Sequence, residues 1–149
     1  NSSTSTISLT NASTKTFAGG GYTYYNLNQG GAGALTISGS NTFNNITSSV
    51  QPTTVTFTSG TTQTVSNFGL TGTAGNLVTI NSTSAGSAAT LSKSGGTVSC
   101  DYLSLKDSAA TGGAGWYAGT HSTNVSGNTG WTFTAPPVGN TSSFFFMFS

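Results

Sequence analysis

The sequence predicts an all-β fold: a short parallel β-helix-like stack of rungs of about 20–22 residues, with a β-sandwich or jelly roll as the alternative. Three observations predict it. Apolar and polar residues alternate in short runs, and turn signals separate those runs every ~8–12 residues. The residue types suit a pleated surface, being rich in Thr, Val, Ile, Tyr and Phe, while helix-forming straight-chain residues are scarce. Apolar strands centred on Leu35, Val55 and Leu77 recur at spacings of 20 and 22 residues. Such a spacing suits one rung of a solenoid, where each strand finds its neighbour in the next rung. Turn spacing alone fits a sandwich equally well.

The elements follow in order. Residues 6–10 (TISLT) alternate cleanly, and Gly19, Gly20 and Gly21 form a turn before the aromatic run 22–27 (YTYYNL). Gly30 and Gly31 break that run, 34–38 (ALTIS) follows, and 39–41 (GSN) turns the chain into 42–47 (TFNNIT). After Pro52, which lacks a backbone donor, come 54–58 (TVTFT), 63–68 (QTVSNF), 76–80 (NLVTI), 89–92 (ATLS) and 97–105 (TVSCDYLSL). The last strand is 130–134 (GWTFT). The apolar positions Ile7, Leu35, Ile37, Phe43, Ile46, Val55, Phe57, Val65, Phe68, Leu77, Ile80, Leu91, Val98, Leu103 and Leu105 are expected inside. A second repeat supports the rungs. Thr42 to Ile46, Thr64 to Phe68 and Thr97 to Tyr102 share an order of Thr, apolar, polar, polar, apolar, and start 22 and 33 residues apart.

Composition bounds the function. The 149 residues fit one domain. Only 3% are charged: Lys15, Lys93, Lys106, Asp101 and Asp107, with no Arg or Glu. Three scattered lysines cannot neutralise a run of phosphates, so nucleic acid is not an expected partner. Ser and Thr number 24 and 29, and a net charge of +1 favours association over repulsion. Sixteen aromatic residues (nine Phe, five Tyr, two Trp) argue against disorder. Cys100 is the single cysteine, so no intramolecular disulfide forms. No apolar run approaches the ~18 residues of a membrane-spanning helix. The chain begins at Asn1; a removed leader or a longer parent chain would each explain that, and the first would suit an extracellular protein.

Chemistry is sparse. Asp101 and Asp107 are the only carboxylate side chains. On one continuous strand they would lie roughly 20 Å apart, beyond the ~5–9.5 Å that glycoside hydrolysis uses. His121, Asp107 and a serine could be written as a triad, but no Gly-x-Ser-x-Gly turn is present, and His121 reads as a polar loop residue. One His, one Cys and two Asp are too few and too dispersed for a metal, and no cofactor is expected. The chain is therefore not expected to be an enzyme. Asn1, Asn11, Asn45, Asn81, Asn124 and Asn140 each begin an Asn-x-Ser/Thr glycosylation sequence. Thirteen Asn among so many hydroxyl residues would produce nearly as many by chance. Tyr22, Tyr24, Tyr25, Trp116 and Tyr117 could form a sugar-stacking surface, since Tyr22 and Tyr24 alternate onto one face of a strand; aromatic residues in strands more commonly serve the core.

The stretch 62–134 contains TVSNFGLTGTAGNLVTI, GGTVSCDYLSLKDSAATGGAGWYAG and NTGWTFTAPP. It resembles β-helix-like repeat segments of phage virion proteins and bacterial surface proteins. Gly130-Trp131-Thr132-Phe133 after an Asn-rich turn and Val98 to Leu103 carry the likeness. The resemblance implies architecture and assembly, and no reaction.

Residues 1–134 are expected to form one domain, 135–143 a linker and 144–149 a docking strand. Pro136 and Pro137 stop a strand and extend the chain. Phe144, Phe145, Phe146, Met147 and Phe148 would expose several hundred Å² of apolar surface if left in water. The expectation is a non-catalytic structural subunit of an extracellular assembly, such as a phage virion surface or fibre protein or a self-assembling surface filament. Its partners would be copies of itself, linked through this tail. The alternative is a carbohydrate-binding or adhesin module of a cell-surface protein, with glycans as partners.

Overall fold

The same polar-apolar alternation, repeated turn after turn, gives each strand a like neighbour to pair with. In a computed structural model describing residues 4–139, the chain winds as a parallel β-solenoid of about six turns. Every pairing between its strands is parallel, and the described residues contain no helix.

One six-stranded sheet stacks β1 (Thr6–Leu9), β3 (Thr23–Gln29), β5 (Thr42–Ser48), β7 (Thr62–Gly69), β9 (Ala89–Ser92) and β12 (Ser108–Thr111) in that order. The opposite sheet stacks β2 (Lys15–Ala18), β4 (Leu35–Ser38), β6 (Thr53–Phe57), β8 (Val78–Ser82), β11 (Leu103–Lys106) and β14 (Thr123–Ser126). A third wall, β10 (Thr97–Ser99), β13 (Gly115–Tyr117) and β15 (Trp131–Thr132), serves the last turns.

Inward side chains stack on their counterparts. Leu27, Ile46 and Phe68 pair in register on the first sheet, and Leu35, Val55, Ile80 and Leu105 on the second. All seven are buried. Each such side chain contributes roughly 1.5–3 kcal/mol by leaving water. On the third wall Val98, Trp116 and Trp131 stack, with the Trp116 ring 5.6 Å from Phe68 and 5.1 Å from Trp131. Two polar pairs fill corners of the core. Gln63 accepts from the Asn41 amide at 3.0 Å and donates to the Gly39 carbonyl at 2.7 Å, and Gln29 donates to Thr53 at 2.9 Å.

The repeat of apolar, polar, polar, apolar residues has a structural cause. β5 and β7 bury Phe43 and Ile46, and Val65 and Phe68, with two consecutive uncovered or half-covered residues between. Two outward residues in succession break the two-residue period of a strand and bend the sheet. β3 follows the same rule from Tyr24 to Leu27. The outward Asn26 and Asn45 are paired, and the Asn45 amide donates to the Asn26 side chain.

The structure changes three expectations. Rungs are less uniform than 20–22 residues: the paired Asn26 and Asn45 are 19 apart, and Thr62 and Thr90 are 28 apart. The long turn absorbs two tight loops, Thr73 to Asn76 and Ser84 to Ser87, each with a left-handed glycine, Gly75 and Gly86. Among the expected core residues Ile7 and Leu77 are only partly covered, and the others are buried. Leu77 lies before β8, so Val78 takes the inward place. The run 97–105 is two strands, because Tyr102 adopts φ +54° and turns the chain between β10 and β11.

Candidate functional site

Two places gather polar or aromatic side chains. The first is the corner joining the third wall to the second sheet. Asp101 stands there in one turn of the coil, and His121 stands 20 residues later in the next. His121 Nδ1 lies 2.7 Å from Asp101 Oδ2, the His121 backbone N–H donates to Oδ1 at 2.9 Å, and the Tyr102 N–H donates to the same oxygen at 2.9 Å. The Tyr102 ring stacks on the imidazole, 4.6 Å between centres and 5° from parallel. Burial alone would raise the Asp101 pKa, but the His121 hydrogen bonds, the Tyr102 N–H and the imidazole charge together hold it below the usual carboxylate range.

This corner is a latch between rungs. The Ser122 hydroxyl donates to the Ala118 carbonyl at 2.6 Å and accepts from the Leu103 N–H at 2.7 Å. It is committed to the backbone rather than to the imidazole. Asp107, the acid first considered beside His121, is buried elsewhere and accepts from the Gly86 N–H at 3.0 Å. Cys100, next to the latch, is buried, and burial followed by the Asp101 charge pushes its thiol up to about 12. Among the described residues no group of three or more His, Cys, Asp or Glu could hold a metal ion.

The second place is an open groove of about 1000 Å³ where β3, β5 and β7 bend, with Ser5, Ile7 and Phe43 also in its lining. Tyr22 and Tyr25 line it and are the most exposed of its aromatic residues, at 71% and 37%. Tyr24 lines it too but is fixed as a wall. Its hydroxyl donates to the Gly19 carbonyl at 2.6 Å, and its ring packs edge-on to Phe17 and against Phe43, with centres 4.9 and 5.6 Å away. Thr23, Thr42, Asn44 and Ser66 supply polar groups. Among the described residues their side chains bond to nothing within the protein, unlike the neighbouring Asn26, Asn28 and Asn45.

The structure thus brings together Tyr22, Tyr24 and Tyr25 and separates them from Trp116 and Tyr117. Trp116 corrects the expectation: it is 2% exposed, its indole N–H donates to the Thr111 carbonyl at 3.0 Å, and it offers no face to a sugar. Tyr117 is half-buried on the third wall. Tyr22 and Tyr24 also do not share a face, since Tyr24 packs on the core while Tyr22 stands in solvent. Sequence reasoning missed Asn44 and Ser66, although the repeated pattern places both beneath Tyr25.

Of the glycosylation sequences, Asn11 and Asn124 are exposed; Asn45 and Asn81 are half-covered and hydrogen-bonded on the outer faces. Asn1, Asn140 and the tail Phe144, Phe145, Phe146, Met147 and Phe148 lie outside the described residues. Among the described residues no helix is long and apolar enough to cross a membrane. Comparison of the chain with protein families, with curated proteins and with solved structures finds no match in any of the three.

Proposed function

We propose that this chain is a non-catalytic structural subunit of an extracellular assembly, a phage virion surface or fibre protein or a self-assembling surface filament, linked to further copies through its C-terminal tail. The observation that carries this reading is the first rung, which the described residues leave only partly covered. β1 and β2 are the edge strands at one end of both six-stranded sheets. Their inward residues Ile7, Leu9 and Phe17 are only half-covered, whereas Leu27, Leu35 and Ile37 one turn on are at most 1% exposed.

A solenoid end of this kind offers strand edges and apolar surface for stacking, which natural repeat proteins cover with caps or partners. Four Phe and one Met in 144–148 form a second apolar element. A sheet edge and an apolar strand suit each other, since strand addition supplies main-chain hydrogen bonds. A hydroxyl-rich surface with a net charge of +1 presents little repulsion between copies. The test is deletion of 144–149, with assembly followed by light scattering and electron microscopy. The truncated chain is expected to stay monomeric where the full chain forms ordered particles. Equal assembly by both would refute the tail-linked reading.

A further inference from the structure

We propose that the groove at the bend of β3, β5 and β7 binds an uncharged carbohydrate, with Tyr22 and Tyr25 as stacking platforms and Thr23, Thr42, Asn44 and Ser66 as its hydrogen-bonding groups. This inference goes beyond the structural role; the two share Ile7, which lines the groove and belongs to the first rung.

The lining matches a sugar better than an apolar segment. A pyranose has apolar C–H faces and a rim of hydroxyls. It therefore needs an exposed aromatic plate beside uncommitted donors and acceptors. Both are present. Tyr22 and Tyr25 keep their rings in solvent, while Tyr24, locked by its bond to Gly19 and its packing on Phe17 and Phe43, backs them.

The polar groups come from three successive rungs. Thr23 and Thr42 are paired in register, as are Thr42 and Thr64, which places Ser66 one strand beyond Asn44. Strand spacing sets the span from β3 to β7 at roughly 10 Å, about two sugar rings. The Asn44 amide can both donate and accept, and the Thr and Ser hydroxyls do likewise. This versatility suits sugar hydroxyls, which also act as donor and acceptor at once.

The absence of charge from the lining selects the class of glycan. No residue lining the groove is ionisable other than tyrosine. Lys93 is not among the lining residues, and its ammonium donates to the Ser66 backbone carbonyl at 2.6 Å. A sialic or uronic acid would lose hydration at its carboxylate with no cation in the lining to replace it.

The experiment uses the full chain with maltotriose, cellotriose and chitotriose as neutral probes and sialyllactose and a trigalacturonate as acidic ones, by isothermal titration calorimetry. Binding of at least one neutral trisaccharide and none of the acidic ones is expected. Tyr22→Ala and Tyr25→Ala should each weaken it roughly three- to tenfold, while Asn67→Ala, on the outer face beside the groove, should leave it unchanged. Thermal melts of each variant separate a lost site from a lost fold, because Tyr22 and Tyr25 are exposed and their removal should not lower the melting temperature. Failure of every neutral probe, preference for an acidic one, or binding unaffected by both Tyr substitutions would overturn the proposal. So would binding of a peptide spanning 140–149 in the same groove with no neutral sugar bound. The titration is repeated on the chain lacking 144–149, so that a groove covered by assembly is told apart from a groove that binds no neutral sugar.

Discussion

Ile46→Ala removes a side chain from the middle of a stacked ladder. Ile46 is 1% exposed and lies between Leu27 on the preceding rung and Phe68 on the next. Three buried carbons disappear, each representing about 0.8 kcal/mol of transfer free energy, or about 2.4 kcal/mol in all. The space left behind adds to this, because Leu27 is fixed by backbone pairing on both sides and the Phe68 ring is held against Trp116 and Trp131, so neither collapses readily inward. A total of about 3 kcal/mol is expected, inside the range of about 2–5 kcal/mol for such truncations. The companion Thr47→Ala changes the next residue of β5, which faces solvent and gives up one 3.2 Å bond to Asn28. It should cost no more than about 0.5 kcal/mol. Urea denaturation of both variants, read by circular dichroism, gives the comparison, with the slope of the transition unchanged if the fold is retained. A cost below about 1 kcal/mol for Ile46→Ala, or an equal cost for Thr47→Ala, would refute the stacked-ladder reasoning.

Two further outcomes follow from the latch. The folded Asp101 carboxyl is held below its usual range, so its contribution is present above the unfolded value of about 3.9 and is lost as pH falls through the folded value. Asp101→Asn should therefore be less stable than the natural chain near neutral pH, by up to about 1 kcal/mol for a part-exposed pair; thermal melts should show the two converging in acid, and a difference that grows in acid would contradict the sign. The Cys100 thiol is buried and pushed up to about 12. It should resist Ellman's reagent at pH 8 in the folded protein and react at once in urea, since the thiolate is the reactive form.

The fold was legible where the rung period was regular. Leu35 and Val55 stand 20 apart in sequence and are paired in the sheet, and the pattern shared by Thr42 and Thr64 marks partners in register. Legibility failed where loops lengthen the coil. Val55 pairs with Ile80, not Leu77, because Thr73 to Asn76 bulges out of the path and no local signal states how far the phase shifts. A second break, at Tyr102, hid the latch. Asp101 and His121 are one rung apart, but reading 97–105 as one strand placed Asp101 within it and drew attention to Asp107. The positive φ of Tyr102, which divides that run, carries no mark in composition, since a left-handed tyrosine is unusual. In the groove the tyrosines were legible as a cluster. Which of them face outward was not, because two consecutive outward residues at the bend reset the alternation used to assign faces.

The parallel in-register stack underlies every residue placement above, and disulfide trapping tests it most directly. Thr36 and Thr56 are register partners in β4 and β6, and Thr79 and Ser104 are partners in β8 and β11. All four are non-core positions that alternate with buried neighbours. Adjacent parallel strands lie about 4.8 Å apart, within the ~4.4–6.8 Å that a disulfide bridges between Cα atoms. In a Cys100→Ser background, the pairs Thr36→Cys with Thr56→Cys and Thr79→Cys with Ser104→Cys should each oxidise to an intramolecular bridge in the folded chain. The pair Thr36→Cys with Ser104→Cys, three strands apart in the sheet order, should remain reduced. Failure of both register pairs to bridge while the chain keeps its β-sheet circular dichroism, or bridging of the distant pair, would contradict the solenoid.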